Sequence, residues 1–426
     1  MNYLVQFSLK NFLSFKEKET FVFFNSNDES LKESLLEVEN ERFTLSAVSA
    51  IYGANASGKT NLLKAIGFLK FLLITTSSRR VNEPIPFLPF KLTQNEPTTF
   101  EIIFISEGIR YGYFTTFNQE KVLLEGLYTY PRGKQKKVFE REYLNEKYVY
   151  SYSREYQSIL KDIETKSLPN KFFLSTVAEW SVLSEIKNSI DFFENKIIIN
   201  TDYLNPNWQH YTAEQLETNE ELKNMFLKIL QEINPTIKNI KSKVIRKQMS
   251  LEDFPSELPI ELRLLMGKGE SVQTDIKIIY EKDNLILDLS EESRGIQKLF
   301  EIGGPLLDII LKGEILIFDE LETSLHPLLA RKIIELFNNK KFNKKGAQLL
   351  FTTHDTNLLD LNFLRRDQIW ITEKGRETDY STKLVCLSQI KGIRKDENIQ
   401  KGFLQGKYTK VPFLTGSHID KLYGDE

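Results

Sequence analysis

The chain contains, from Gly53 to Thr60, the run GANASGKT. This run matches the phosphate-binding pattern G-x-x-x-x-G-K-[ST] at every fixed position. A small, apolar, strand-like run from Thr44 to Tyr52 precedes it, and apolar residues at helical spacing follow it from Lys59 to about Thr75. We therefore predict a strand, a glycine loop and a helix, with backbone N–H groups of the loop and of the helix N-terminus facing bound phosphate. We call residues 53–60 the phosphate loop.

The pattern assigns separate tasks to two residues of the phosphate loop. The Lys59 ammonium is expected to reach the β- and γ-phosphates of a nucleotide, and the Thr60 hydroxyl is expected to bind Mg²⁺. The phosphates are expected to contact Asn55, Ala56, Ser57, Gly58, Lys59 and Thr60. The alternative is a glycine and serine turn that only begins a helix. The strand before the loop and the helix after it favour phosphate binding.

Two acidic residues close a second strand-like run. Ile315 to Phe318 is apolar, and Asp319 and Glu320 follow it directly. Open α/β sheets bind ligands at the carboxyl ends of their strands, so we expect Asp319 to hold Mg²⁺ through water and Glu320 to polarise the attacking water. The next strand-like run, residues 348–353, ends at His354, whose neutral imidazole can hydrogen-bond the γ-phosphate or that water. For each of these residues, a solvated polar loop position is the alternative.

A third segment, LSEESRGIQKL at residues 289–299, lies between the phosphate loop and the acids. Small and charged residues begin a helix there, with Ser293 and Gly295 at its N-terminus. Such an end can bind an anion through its backbone N–H groups and the serine hydroxyl. Because the phosphate loop already serves the γ-phosphate within one subunit, a second phosphate-binding helix end would indicate a site shared by two subunits. A simple N-cap, in which Ser293 bonds the first helical turn, is an equally good interpretation.

The order of the elements predicts an α/β core that is split by two insertions. Aromatic and β-branched runs between Phe87 and Tyr152 predict an antiparallel β-meander, and residues 153–263 have a mostly helical pattern. Strands and helices then alternate from residue 275 to residue 387, which is typical of a parallel sheet. The predicted domains are the two halves of the core (1–85 and 271–390), the β-meander lobe (86–152), a helical insert or lid (153–270) and a C-terminal tail (391–426).

The composition excludes several classes of protein. The 426 residues include 57 Lys+Arg and 59 Asp+Glu, a net charge of -2, so the chain is not a uniformly basic nucleic-acid coat. One cysteine, Cys386, excludes an intramolecular disulfide, and 4 separated histidines disfavour a histidine-based metal cluster. No apolar run reaches the roughly 20 residues of a membrane helix, and the N-terminus does not resemble a signal peptide. We therefore expect a cytoplasmic protein with no membrane partner.

Together these segments resemble the heads of ABC-type AAA family ATPases, as in SMC and OLD-type proteins. The shared order is a phosphate loop, a long insertion, a signature helix, an apolar strand that ends in Asp-Glu, and a switch histidine. The resemblance implies an α/β P-loop NTPase fold of ABC-ATPase type that binds ATP with Mg²⁺ and hydrolyses ATP. It further implies a homodimer or higher homo-oligomer joined through ATP. In such a pair, Ser293 and Gly295 contact the γ-phosphate held by the partner subunit, and residues 321–327 communicate across the dimer. The segment 289–299 departs from the LSGGQ signature of transporters, which disfavours transport.

Other segments are similar to one branch of these ATPases, the stand-alone RloA-like and AbiL-like ATPases of bacterial anti-phage defence loci. The resembling segments include NFLSF (11–15), YGANASGKTNLLKAI (52–66), DELETSLHPLLARKII (319–334) and GFLQGKYTKVPFL (402–414). Of these, the phosphate loop and the DELETSLHP block are specific. This resemblance implies an ATP-sandwich sensor or switch that controls a separately encoded effector, for example a nuclease. About 70 residues follow His354 in this sequence, too few for the Toprim nuclease of OLD-type proteins. We therefore expect no nuclease domain in this chain.

Two basic clusters leave other functions open. The first contains Arg132, Lys134, Lys136 and Lys137, and the second contains Lys238, Lys241, Lys243, Arg246 and Lys247. Either cluster could bind nucleic acid or an acidic protein, and a solvated surface with acids nearby is the alternative. Nucleic-acid binding would fit a DNA-maintenance ATPase, SMC-like or recombination-like, that acts directly on DNA. A scaffold that uses ATP only as structural glue is the remaining alternative, and the Asp319-Glu320 pair disfavours it.

Overall fold

The computed structural model describes residues 1–24, 30–200, 207–248, 270–323, 327–374, 379–394 and 397–408. The chain forms two compact units. The first consists of Met1–Thr201, Gly313–Thr323 and Ala330–Glu426, and the second of Asp202–Lys312 and Ser324–Leu329. The second unit is therefore inserted into the sequence of the first. This division differs from the predicted domains, because residues 271–312 were expected in the core.

Strands and helices alternate along most of the chain. The strands of the described residues are β1 (Tyr3–Lys10), β2 (Glu19–Val22), β3 (Leu35–Glu37), β4 (Thr44–Ser46), β5 (Val48–Gly53), β6 (Thr98–Ser106), β7 (Ile109–Phe117), β8 (Val122–Thr129), β9 (Lys136–Leu144), β10 (Lys147–Tyr152), β11 (Ile197–Asn200), β12 (Ile237–Gln248), β13 (Glu270–Tyr280), β14 (Ile286–Asp288), β15 (Ile315–Phe318), β16 (Gln348–Thr352), β17 (Ile369–Lys374) and β18 (Thr382–Cys386). The helices are α1 (Lys59–Thr75), α2 (Gln157–Glu164), α3 (Phe173–Trp180), α4 (Ser184–Asp191), α5 (Asn207–Thr218), α6 (Glu220–Ile233), α7 (Arg294–Lys312), α8 (Pro327–Asn338) and α9 (Ile399–Leu404). Within the described ranges, none of these helices has both the length and the apolar character needed to cross a membrane.

A six-stranded sheet forms the core of the first unit, in the order β11-β15-β16-β5-β17-β18. Neighbouring strands from β11 to β17 are parallel, and β18 pairs antiparallel with β17. Every residue of β5, β15 and β16 is buried, as expected for a parallel sheet covered on both faces. The α/β prediction is therefore confirmed, and α1 has its predicted bounds, with Leu62, Leu63 and Ile66 buried.

A seven-stranded antiparallel sheet lies in the same unit, in the order β10-β9-β8-β7-β6-β1-β2. It contains the predicted meander, extended by β1, which pairs with β6 although it was expected in the ATPase core. A buried ion pair between Arg141 and Glu125, at 2.9 Å, fixes α3 on this sheet, because Glu125 also accepts hydrogen bonds from the backbone N–H groups of Phe173 and Leu174. Both charged side chains are fully buried.

The second unit combines α5, α6 and α7 with a three-stranded sheet in the order β12-β13-β14. The prediction of a mostly helical insert is wrong for residues 237–248, which form β12. Exposed Lys241 and Lys243 alternate there with the more buried Ile240, Ser242 and Val244, the period of a strand. Helix α7, which begins at the predicted signature residues, packs against α5 in this unit, where Gly304 N donates to Thr212 Oγ1 at 3.1 Å.

Candidate nucleotide site

The phosphate loop joins β5 to α1, and its two fixed glycines shape it. Gly58 has a φ of 108°, and a Cβ at this position would lie 2.3 Å from Thr382 Oγ1. A Cβ on Gly53 would lie 2.4 Å from Thr372 Oγ1. Ala56 also has a positive φ, of 62°. The loop therefore needs glycine at both fixed positions, both for backbone conformation and for the close approach of β17 and β18.

Lys59, the first residue of α1, folds back over the phosphate loop. Its side chain is almost fully buried, and Nζ donates to the carbonyl oxygens of Gly53 (3.0 Å) and Ala54 (3.2 Å). Burial lowers the pKa of Lys59 from 10.5 to about 8, and the attraction of nearby carboxylates, Glu322 first, opposes this shift. Lys59 therefore remains mostly protonated at neutral pH and supplies a positive charge inside the loop.

Thr60 and Asp319, the two residues predicted to bind Mg²⁺, are hydrogen-bonded to each other. Thr60 Oγ1 donates to Asp319 Oδ1 at 3.2 Å, and Thr352 Oγ1 donates to the same oxygen at 2.5 Å. Hydroxyl and carboxylate oxygens are the hard ligands that Mg²⁺ prefers, so these residues fit the ion. The described residues contain no group of three or more His, Cys, Asp or Glu that could hold a metal. Phosphate oxygens and water would therefore have to complete the coordination.

Glu320 lies in an unusual backbone conformation beside Asp319. Its φ is 50°, which costs on the order of 1 kcal/mol for a residue with a side chain. Two threonines hold this conformation. Glu320 N donates to Thr352 Oγ1 at 2.7 Å, and Thr323 donates from both its N–H (3.1 Å) and its hydroxyl (2.8 Å) to the Glu320 carbonyl. Strain of this kind concentrates at functional sites, which fits the role predicted for Glu320.

His354 follows β16 and approaches Lys59, with 3.5 Å between His354 Nδ1 and Lys59 Nζ. Because an ammonium group can only donate, Nδ1 accepts and the ring proton lies on Nε2. Burial and the positive charge of Lys59 lower the pKa of His354 below its usual 6.5, which favours the neutral ring predicted for this residue.

Glu322 is a site residue that the sequence reasoning missed. Its carboxylate accepts a hydrogen bond from the backbone N–H of His354, and its other oxygen is buried without a hydrogen-bond partner. It is also the strongest of the carboxylates that raise the pKa of Lys59. The resemblance to ABC-type ATPases placed it only in the run 321–327, which was expected to communicate across a dimer. Its position two residues after Glu320 was the one sequence feature that could have identified it as a site residue.

A family model described as "AAA domain, putative AbiEii toxin, Type IV TA system" matches residues 48–360. This range includes the phosphate loop, Asp319, Glu320 and His354. The chain belongs to this family. Membership assigns it to the AAA-type ATPases.

No curated protein matches this AAA-type ATPase. The solved structures that resemble this chain include an SMC head bound to the C-winged helix domain of ScpA. It has 13% identity and a TM-score of 0.41, and the match covers 90% of this chain and 97% of that chain. The SMC head domain from Thermotoga maritima has 14% identity and a TM-score of 0.41, with coverages of 90% and 98%. An SMC head with an extended coiled coil, bound to the C-terminal domain of ScpA and derived from Pyrococcus furiosus, has 15% identity, a TM-score of 0.39, and coverages of 90% and 96%.

The predicted signature residues of this ATPase lie at the start of α7. Ser293 Oγ accepts a hydrogen bond from Ile296 N at 3.4 Å, which is the N-cap interaction of the alternative interpretation. A Cβ on Gly295 would meet nothing within 4 Å, so the backbone there is open to close approach. Both residues belong to the second compact unit, whereas the phosphate loop, Asp319, Glu320 and His354 belong to the first. The role of Ser293 and Gly295 in a shared site remains a prediction.

Proposed function

We propose that this AAA-type ATPase binds ATP with Mg²⁺ and hydrolyses it. The observation that carries this proposal is the convergence of Lys59, Thr60, Asp319 and His354 at one end of the parallel sheet, with 3.5 Å between Lys59 and His354 and 3.2 Å between Thr60 and Asp319. These four side chains come from three separate stretches of sequence, and each suits a task in phosphoryl transfer. Chance is a poor explanation for their proximity in the fold. These residues follow the carboxyl ends of strands β5, β15 and β16, where open α/β sheets bind ligands.

Each residue has a task that follows from its chemistry. The Lys59 ammonium leaves the carbonyl groups of Gly53 and Ala54 and pairs with the β- and γ-phosphates. Thr60 and Asp319 would hold Mg²⁺, which neutralises charge on the phosphates when it is bound. Glu320 accepts the proton of the attacking water, and neutral His354 donates from Nε2 to the γ-phosphate or to that water.

We further propose that two copies of the chain clasp ATP between the phosphate loop of one and the start of α7 of the other. Gly295 is free of steric contact at Cβ, and the 19-residue helix α7 directs the positive end of its dipole at that point. ATP contacts both surfaces, so binding favours the pair and hydrolysis removes the link. Such a pair is an ATP-dependent switch.

The biological role that we propose is control of a separately encoded effector in anti-phage defence, in the cytoplasm. The family description, which names a putative toxin of a type IV toxin–antitoxin system, supports a role in a multi-component system. The DNA-maintenance alternative is weaker, because the structure gives acidic or amide partners to several residues of the two basic clusters. Lys136 pairs with Glu155, Lys137 with Glu140, Arg246 with Glu214, and Lys238 with Asn284.

The test of the switch is the native mass of the purified protein by light scattering, with and without Mg-ATP. We expect Glu320→Gln to bind ATP and to accumulate as a dimer, because it forms the closed pair without hydrolysing its link. Glu335→Gln, the same chemical change on the exposed face of α8, should behave as the wild type. A Glu320→Gln protein that stays monomeric in saturating Mg-ATP would exclude the sandwich. Purification from the native operon tests the effector, which should accompany the protein as the product of a neighbouring gene.

A further inference from the structure

A chain of hydrogen-bonded side chains supports the phosphate loop from outside. Thr382 Oγ1, on β18, lies 2.8 Å from the carbonyl oxygen of Ser57 and 2.7 Å from Ser14 Oγ. Ser14 Oγ in turn accepts a hydrogen bond from the Asn61 side-chain amide at 2.8 Å. Thr382 and Ser57 are almost fully buried. The loop is therefore tied to two segments that lie far from it in the sequence.

The direction of each hydrogen bond in this chain follows from the chemistry of its ends. The Ser57 carbonyl can only accept and the Asn61 amide nitrogen can only donate. The Thr382 hydroxyl faces two acceptors, the Ser57 carbonyl and Ser14 Oγ, and its single proton is shared between them, while Ser14 Oγ also accepts from the Asn61 amide. The Thr382 hydroxyl is therefore the group that links the phosphate loop to the segment that carries Ser14. Removing one hydroxyl leaves a buried polar neighbour without a hydrogen-bond partner, and an unsatisfied buried group costs free energy because it has also lost its contact with water.

A second, shorter chain holds the side chain of the same serine. Ser57 Oγ lies 2.6 Å from Thr372 Oγ1, and Thr372 Oγ1 donates to the Tyr52 carbonyl at 3.2 Å. Since Tyr52 O only accepts, Ser57 donates to Thr372. The carbonyl and the hydroxyl of Ser57 are thus bonded to threonines of β18 and β17, respectively. These hydrogen bonds hold a loop conformation that has positive φ at Ala56 and Gly58.

The segment that carries Ser14 is itself fixed independently of the phosphate loop. Asn11 is fully buried, donates to the carbonyl groups of Thr93 (3.1 Å) and Glu96 (2.6 Å), and accepts from Phe90 N (3.1 Å). Ser14 O accepts from Thr382 N at 2.7 Å. The segment NFLSF, which the proposed mechanism does not use, therefore connects the seven-stranded sheet to the phosphate loop.

We infer that Ser14 and Thr382 are positioning residues for ATP binding, which hold the phosphate loop in its binding conformation before the nucleotide arrives. A loop ordered in advance loses less conformational entropy on binding than a loop that must be ordered by its ligand, so ATP affinity is higher. Neither residue touches the reacting atoms. Their effect is expected in the affinity for ATP and in KM, and much less in kcat. The inference rests on the proposed binding of ATP.

The experiment compares Thr382→Val, Thr382→Ser and Ser14→Ala with the wild type in ATP titrations and in steady-state hydrolysis. Valine keeps the shape of threonine and removes the hydroxyl, whereas serine keeps the hydroxyl. Thr382→Val should raise the Kd and KM for ATP about five- to tenfold, because one to two hydrogen bonds that hold the loop are lost. The kcat should stay within about twofold of the wild type. Thr382→Ser should restore most of the affinity. The effects of Thr382→Val and Ser14→Ala should not add in the double variant, because both break one chain.

Thr20→Val is the matched control, because Thr20 Oγ1 makes a comparable hydroxyl contact with Ser8, at 2.9 Å, between β1 and β2. It should leave ATP affinity unchanged. Wild-type affinity in Thr382→Val, equal losses in Thr382→Val and Thr20→Val, or additive effects in the double variant would overturn the inference. Should Thr382→Val not fold, Ser14→Ala decides, since it removes a hydroxyl without adding bulk. A wild type that does not bind ATP at all would refute the proposed function instead.

Discussion

Replacing Lys59 with methionine should abolish ATP binding and at the same time make the nucleotide-free protein more stable. The ammonium group is buried, and the folded state holds its proton less tightly than the unfolded chain does, with a pKa of about 8 instead of 10.5. Methionine has a similar length and carries no charge to desolvate. Functional sites commonly reduce stability in this way, because they retain groups that the ligand needs and the empty fold does not.

The magnitude follows from the lowered pKa of Lys59. The fall from 10.5 to about 8 corresponds to roughly 3 kcal/mol of penalty on the protonated form, at about 1.36 kcal/mol per pH unit. Water at the mouth of the loop screens part of this penalty. Methionine also loses the two hydrogen bonds to the carbonyl groups of Gly53 and Ala54, which offsets a further part of the gain. We therefore expect Lys59→Met to raise the free energy of unfolding by about 1 kcal/mol at pH 7.

The dependence on pH gives a second, independent readout. Below pH 8 both states of the wild type are protonated and the full penalty applies. Between about pH 8 and 10.5 the folded state loses its proton first, so the contribution of Lys59 makes the wild type more stable as pH rises. Lys59→Met lacks this contribution. The difference in stability between the variant and the wild type should therefore shrink from pH 7 to pH 10.

The assay is urea denaturation of the nucleotide-free proteins, followed by tryptophan fluorescence, at pH 7 and at higher pH. Lys64→Met is the control, because Lys64 is exposed on α1 and its replacement should change stability by less than about 0.5 kcal/mol. Mg-ATP should stabilise the wild type and Lys64→Met but not Lys59→Met. The reasoning would be refuted if the free energy of unfolding of Lys59→Met at pH 7 were lower than that of the wild type by about 1 kcal/mol or more, a loss as large as the expected gain.

Three other changes test the site and the fold. Thr60→Val removes one Mg²⁺ ligand, so the Mg²⁺ concentration for half-maximal hydrolysis should rise about tenfold or more, whereas Thr60→Ser should stay near the wild type. Because the pKa of His354 is lowered, its ring is neutral throughout the neutral range; the acid limb of the kcat profile should therefore lie below pH 6.5 and should disappear in His354→Gln. Glu125→Gln leaves the buried Arg141 charge uncompensated, so it should lower the free energy of unfolding by about 3–5 kcal/mol in urea titrations. A loss below about 1 kcal/mol would show that the ion pair is not essential to the seven-stranded sheet.

Local pattern was sufficient for most of the fold. The helix predicted from Lys59 to about Thr75 is α1, and β15 and β16 match the predicted strand-like runs to within one residue. A buried parallel strand and an amphipathic helix each need their own apolar pattern, which the sequence displays. The prediction was wrong at β12, where lysines on the exposed face lower the apolar content of a strand. It also placed α7 in the core, since a helix pattern shows that a face is buried and does not show what buries it.

The phosphate loop and the residues that follow β15 and β16 could be read from the sequence because their tasks depend on neighbouring residues. Glycines determine the backbone of an eight-residue loop, and a parallel sheet brings the ends of its strands to one edge. The residues outside the loop that hydrogen-bond to it could not be predicted from the sequence in the same way. Ser14 and Thr382 are separated by 368 positions, and Glu322 reaches the backbone of His354 across 32. A hydroxyl or a carboxylate carries no local signal of a partner so far away, so the order of the strands in the folded sheet decided these contacts.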